Sequence, residues 1–353
     1  MINIRVLFWN LQRGHRPNKD AHNLLIEDAV AFWLTQNTVL ECDATLLLFA
    51  ECNKTYADNI MRKLSDSEVR WGQLIHPRGD KSYLKGFVHI QEERSPLLMI
   101  DNIAHIYLAN TIKGIPDLAK KFMAIRLVVN DERYLIFLVH LYDKGQAYQS
   151  LQNQELIKML YLNEHRFFEH LSPAQYPTLI VGDFNYNPFD SFMHFHPAGI
   201  THKENLYFNH HHEGYLKTIS HREANIQFRE NDGFDLSDYF YNPCWNLLGD
   251  FQPDSPHPKV NFTHQHDNIF TSSKRKAEEI HQNLLDQVIL RPSLIPHFKH
   301  EDLQIVPLFS NPNDDDNPVV LIKDNLHRVQ NEELLPYSDH FAIQFSLKFE
   351  SHY

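Results

Sequence analysis

Two apolar runs, KFMAIRLVVN (residues 121–130) and RYLIFLVHLY (residues 133–142), meet around Asn130-Asp131. Asn and Asp tolerate the left-handed backbone of a tight turn, so the pair predicts a β-hairpin. Further runs of strand length cover residues 4–10, 44–51, 84–91, 104–110 and 178–185, and residues 260–273 and 337–349 read as strands again. Segments of helical period cover residues 20–37 (with Asp20 placed as an N-cap), 149–171 and 274–290. Helices follow the first strand and precede TLIVGDFN, while hairpins fill the space between. That mixture argues for two packed sheets flanked by helices, not for a regularly alternating doubly wound fold. No Gly/Ser-rich or Pro-rich linker divides the 353 residues, so a single domain over 1–353 is expected, with an irregular, His-rich stretch at about 186–259.

Composition narrows the chemistry. At 42% hydrophobic residues the chain can bury a large core, and no apolar run reaches membrane-spanning length. The N-terminus MINIRVLFWN lacks the small-residue cleavage site of a signal peptide. Three cysteines, Cys42, Cys52 and Cys244, are too few and too scattered for a disulfide framework, which fits a reducing cytoplasm. A formal charge of −12 gives no support to broad electrostatic attraction to DNA, although a phosphodiester could still be held through a metal ion and a local basic patch. The histidines between His194 and His221 repeat no zinc-ligand spacing and read as solvated loop residues.

Polar residues repeatedly stop the apolar runs. Asn10 ends the first, Glu51 ends ATLLLFAE, and His140 interrupts IFLVHLY. Asp183 and Asn185 end TLIVGDFN, Asp267 sits in HQHDNIF, and Asp339-His340 precede the last strand. Asp183 and Asn185 have two readings at this point: turn-formers bonding the local backbone, or two groups facing one ligand. Taken together the stops supply carboxylates, imidazoles and carboxamides but no thiol. Such an oxygen-rich set suits a hard cation such as Mg²⁺ with acid/base groups beside it.

The pieces FWN, FAECN, VHL, GDFN, HDNIFTS and SDH, in this order from Phe8 to His340, resemble the endonuclease/exonuclease/phosphatase superfamily, the DNase I-like group. The resemblance implies a four-layered α/β sandwich of two mostly antiparallel sheets flanked by helices, with a site at one rim. It implies Mg²⁺, with Mn²⁺ as a substitute, held by Glu51 with Asn10 and Asp339 beside it. Asp183 would orient or deprotonate the attacking water and Asn185 would hold the phosphate. His340 would contact the same phosphate, its tautomer fixed by Asp267, and His140 would stabilise or protonate the leaving oxygen. Two departures, Gln12 where abasic-site endonucleases usually have a carboxylate and His140 where they have Tyr, point to the His-bearing branches. Residues of about 274–335 exceed what the family needs and read as an insertion carrying substrate or protein-partner contacts.

The expected activity is metal-dependent phosphodiester hydrolysis, with a nuclease acting on DNA or RNA as the first reading. A phosphatase or phosphodiesterase on a nucleotide, small-molecule or lipid-headgroup substrate is the alternative, and fits the acidic charge better. A catalytically inactive binding scaffold of the same fold is the third.

Overall fold

The computed structural model describes residues 1–11, 26–36, 42–65, 70–74, 83–91, 98–102, 120–142, 147–171, 175–188, 190, 192–193, 216, 218–219, 239–248, 264–265, 282–306, 308–310, 319–321, 335–336 and 340–350. In chain order the first elements are β1 (Ile2–Asn10), α1 (Ile26–Gln36), β2 (Ala44–Ala50), α2 (Lys54–Ser65), β3 (Trp71–Leu74) and β4 (Lys85–Ile90). Next come β5 (Leu98–Asn102), β6 (Phe122–Val129), β7 (Glu132–His140), α3 (Ala147–Phe167) and β8 (Thr178–Asp183). The later strands are β9 (Thr218–Ile219), β10 (Phe240–Tyr241), β11 (His264–Gln265), β12 (Gln282–Asn283) and β13 (Asp286–Leu290). They are followed by β14 (Phe298–Val306), β15 (Leu308–Ser310), β16 (Val319–Leu321), β17 (Leu335–Pro336) and β18 (Ala342–Phe349).

Two large sheets carry the fold, one ordered β14-β18-β1-β2-β4-β3 and the other β5-β6-β7-β8-β13-β10-β9. Most neighbours are antiparallel. The β1–β2 and β7–β8 pairs are parallel because α1 and α3 carry the chain back across a sheet face. Alternation along each strand explains why the runs are apolar throughout. Ile4, Val6 and Phe8 of β1 face Ile136, Leu138 and Val181 of the other sheet in the central core. Leu7 and Trp9 point the other way, onto Val30 and Trp33 of α1 and Ala57 and Ile60 of α2. On the far side Phe137, Val139 and Ile180 meet Leu156 and Leu160 of α3. The order helix, sheet, sheet, helix is the expected four-layered α/β sandwich, with mixed sheets of six and seven strands.

The Asn130-Asp131 hairpin is present, with both residues at positive φ (52° and 67°), the backbone of a tight two-residue turn between β6 and β7. The helix expected over 149–171 is α3, and the first helix is described over Ile26–Gln36. The strand expected at 104–110, Asp20 and most of the His-rich 186–259 stretch lie outside the described residues. Among the described residues no helix is long and apolar enough to cross a membrane.

One expectation is corrected. Within the segment read as a helix over 274–290, the described residues form β12 and β13. Val288 and Leu290 bury into the inter-sheet core while Ile289 buries against α3, a two-sided burial that period alone does not separate from a buried helix. β13 lies between β8 and β10, and β14 edges the other sheet, so this part of 274–335 belongs to the two large sheets. Arg291, which follows β13, is buried with Glu164 of α3 through bonds of 2.9 and 2.5 Å, tying the strand to the helix layer.

Gly182 of GDFN shows why that position lacks a side chain. It pairs with Val139, and a Cβ there would fall 1.9 Å from the Val139 carbonyl oxygen. Gly182→Ala must therefore part β7 from β8 and is expected to cost about 3 kcal/mol or more. An unchanged urea midpoint would show that the two strands can separate without penalty.

Candidate active site

The topology gathers strand ends at one rim. β1, β2, β7 and β8 finish there, while β18 and β13, antiparallel to β1 and β8, begin there. Register then decides the neighbours: His140 lies opposite Asp183, and Asp183 opposite Asp286. The two sheets are joined at this rim by Asn10, whose Nδ2 donates to Asp183 Oδ2 at 2.8 Å.

Asp183 is the hub. It is buried, and its Oδ1 accepts the Asn185 backbone N–H at 2.8 Å, which closes a local turn. Asn185, held at a positive φ of 54°, donates from Nδ2 to Leu141 O at 2.9 Å and to Asp183 Oδ2 at 3.3 Å. The side-chain turn of the first reading is present, and it braces a buried acid. Burial is the main cause that raises the Asp183 carboxyl to about 7; His340 opposes it, Asp286 adds to it, and the bonds from Asn185 and Asn10 oppose it. A carboxylate poised there is suited to exchange a proton at neutral pH.

His140 faces Asp183 across the β7–β8 pair, its Nε2 lying 3.6 Å from Asp183 Oδ2 and 3.5 Å from Glu51 Oε1. Burial, then Lys121 and His340, hold its pKa well below the usual imidazole value, so the ring is neutral at pH 7 and these contacts are not ion pairs. Asn153 of α3 clamps the chain after His140, accepting from Tyr142 N at 2.7 Å and donating to Tyr142 O at 2.8 Å. Glu51 is half-buried just past β2 at a φ of 53°, a left-handed backbone that non-glycine residues rarely adopt outside turns and functional sites.

His340, at the start of the last strand, places Nδ1 2.7 Å from Asp286 Oδ2, with both side chains buried. Trp9 Nε1 holds the His340 carbonyl at 2.9 Å. The carboxylate at His340 Nδ1 among the described residues is Asp286; Asp267 and Asp339 lie outside the described residues. The structure brings together Asn10, Glu51, His140, Asp183, Asn185 and His340.

Two residues of the cluster were not singled out from sequence. Asp286 interrupts the apolar run LLDQVIL just as Asp183 interrupts its own, but the helical reading of that segment hid it. Lys121 is the residue opposite His140 when equal steps are counted back from the Asn130-Asp131 turn, and the His140 N–H indeed bonds Lys121 O at 3.0 Å.

Donor chemistry fits a hard divalent cation. Asp183, Asp286 and His340 offer ligand atoms within 4.8 Å of one another, and the Glu51 carboxylate adds oxygen to the same rim. His340 Nδ1 is already held by Asp286, so the carboxylates and the Asn10 amide are the better ligands.

No protein-family model and no curated protein matches the chain. Solved structures do. The AP endonuclease LMAP from Leishmania major is 12% identical, with a TM-score of 0.51, over 99% of this chain and 89% of that one. Truncated Caenorhabditis elegans TDP2 is 12% identical with a TM-score of 0.47, covering 98% of each chain. The catalytic domain of human nocturnin with bound sulfate is 13% identical with a TM-score of 0.46, over 99% of this chain and 94% of that one.

Proposed function

We propose that this chain, which has the DNase I-like fold of the endonuclease/exonuclease/phosphatase superfamily, is a divalent-metal-dependent phosphodiester hydrolase, and that its substrate is DNA or RNA. The observation that carries the reading is the buried Asp183, raised to about 7 and braced by Asn10 and Asn185 beside two histidines. A water held against Asp183 loses its proton to the carboxylate as it attacks phosphorus. His340, when its Nε2 (the ring nitrogen not engaged by Asp286) carries a proton, donates it in a hydrogen bond to a phosphate oxygen. His140 lies on the other side of Asp183, where it stabilises the oxygen on which charge develops. Glu51 and Asn10, with Asp339, would hold Mg²⁺, which when bound neutralises charge on the phosphate. Asn185 enters chiefly as the brace of Asp183, since its amide is engaged with Leu141 and Asp183.

The formal charge of −12 favours a second reading, in which the substrate is a nucleotide or headgroup phosphodiester and not a long polyanion. A panel of plasmid, linear DNA, RNA and bis-p-nitrophenyl phosphate with Mg²⁺ or Mn²⁺ separates the two. Turnover of the small ester alone would exclude the nuclease, and turnover of none would remove the hydrolase reading altogether. EDTA is expected to abolish activity. Glu51→Gln is expected to stay folded and lose most of it, with partial recovery at high Mg²⁺. Full activity of this variant at low Mg²⁺ would take Glu51 out of the metal site.

A further inference from the structure

The β6–β7 hairpin places a lysine where the hydrolytic reading assigns no role. Lys121 Nζ lies 3.3 Å from His140 Nδ1 and 4.7 Å from the centre of the Tyr142 ring. The aromatic face favours the ammonium form, which has donors and no acceptor. On the opposite edge of the imidazole, Nε2 faces two acceptors, Glu51 Oε1 at 3.5 Å and Asp183 Oδ2 at 3.6 Å. Both edges therefore select the same tautomer: a bare Nδ1 towards the lysine and an Nε2–H towards the carboxylates.

We propose that Lys121 is a positioning residue that holds His140 as the Nε2–H tautomer, so that His140 offers the phosphate a hydrogen-bond donor and not a base. What the donor is aimed at rests on the hydrolase reading; the tautomer does not. The two site histidines then differ by construction. His340 gives its Nδ1–H to Asp286, while His140 accepts at Nδ1 from Lys121. One rim thus carries a histidine steered by an anion and a histidine steered by a cation, and only the first can present a bare Nε2 as a neutral ring. Burial lowers the Lys121 ammonium while Asp183 and Glu51 support it, consistent with a cation held inside the site.

Long-range proton–nitrogen correlation spectra of the whole protein, with nitrogen-15 histidine, read the tautomer directly. The His140 signals are assigned by their loss in His140→Gln. Wild type is expected to show a protonated Nε2 and a bare Nδ1. In Lys121→Met the ring should move to a mixture of tautomers, and kcat on bis-p-nitrophenyl phosphate should fall about 10- to 100-fold with KM little changed. Lys121→Arg retains a donor and should keep both the tautomer and most of the turnover. An Nδ1–H tautomer in wild type, or an unaltered tautomer in Lys121→Met, overturns the proposal, as does an unaltered kcat beside a shifted tautomer. If Lys121→Met does not fold, the wild-type spectrum and Lys121→Arg still decide. An Nε2–H ring in a protein that hydrolyses nothing supports Lys121 as the group that sets the tautomer and counts against the hydrolase reading alone.

Discussion

Asp183→Asn is expected to give a protein that melts no lower than wild type and hydrolyses its phosphodiester about 10³-fold more slowly. The swap keeps the shape and the oxygen that accepts the Asn185 N–H, so the local turn survives. It removes the group proposed to take a proton from water. Stability should move in the other direction, because the acid is costly to ionise where it sits. Its folded pKa of about 7 lies above the unfolded value, so the native state holds the proton more tightly. Wild type, measured metal-free in EDTA, should therefore lose stability as pH climbs from the ordinary carboxylate range to about 7, and then level off. Asp183→Asn carries no such loss, so its melting advantage should grow across that window and stay constant above it. Turnover near wild type would sink the catalytic assignment. A melting difference independent of pH would show that Asp183 ionises freely.

How much of this was legible beforehand follows from what each residue interrupts. Asn10, Glu51, His140 and Asp183 each end an apolar run that had no other plausible form than a strand, and register carried them to one rim. Asn130-Asp131 was legible because a two-residue turn has few chemical solutions. Asp286 was not, for a physical reason. Its strand is buried on both faces, and the preceding text, KRKAEEIHQN, has helical composition that pulled the whole segment into one element. Lys121 was hidden differently. Nothing local marks it, since its significance comes only from the partner across the hairpin and from the carboxylates of two other strands. The bracing contacts of Asn185 were not legible either, because they arise from a left-handed backbone at Asn185 that aims the amide at Leu141.

Asp286→Asn is expected to be nearly as damaging as the loss of Asp183, at about 10²- to 10³-fold in kcat/KM, and to leave a second mark that identifies its cause. The carboxylate favours the imidazolium and fixes which nitrogen of His340 is free; an amide does neither reliably. The consequences reach Asp183. His340 lowers the Asp183 pKa by more than Asp286 raises it. Replacing Asp286 removes the raising influence directly and disturbs the imidazole that supplies the lowering one. The Asp183 carboxyl should then titrate at a different pH, and the acidic limb of the pH–rate profile should shift with it. Asp267→Asn is the control, because His340 Nδ1 is already occupied 2.7 Å from Asp286 Oδ2. It should leave that limb where it is. An acidic limb that stays in place in Asp286→Asn would uncouple the three residues. The same two marks in Asp267→Asn, with neither in Asp286→Asn, would return the dyad to the residue that the sequence first suggested.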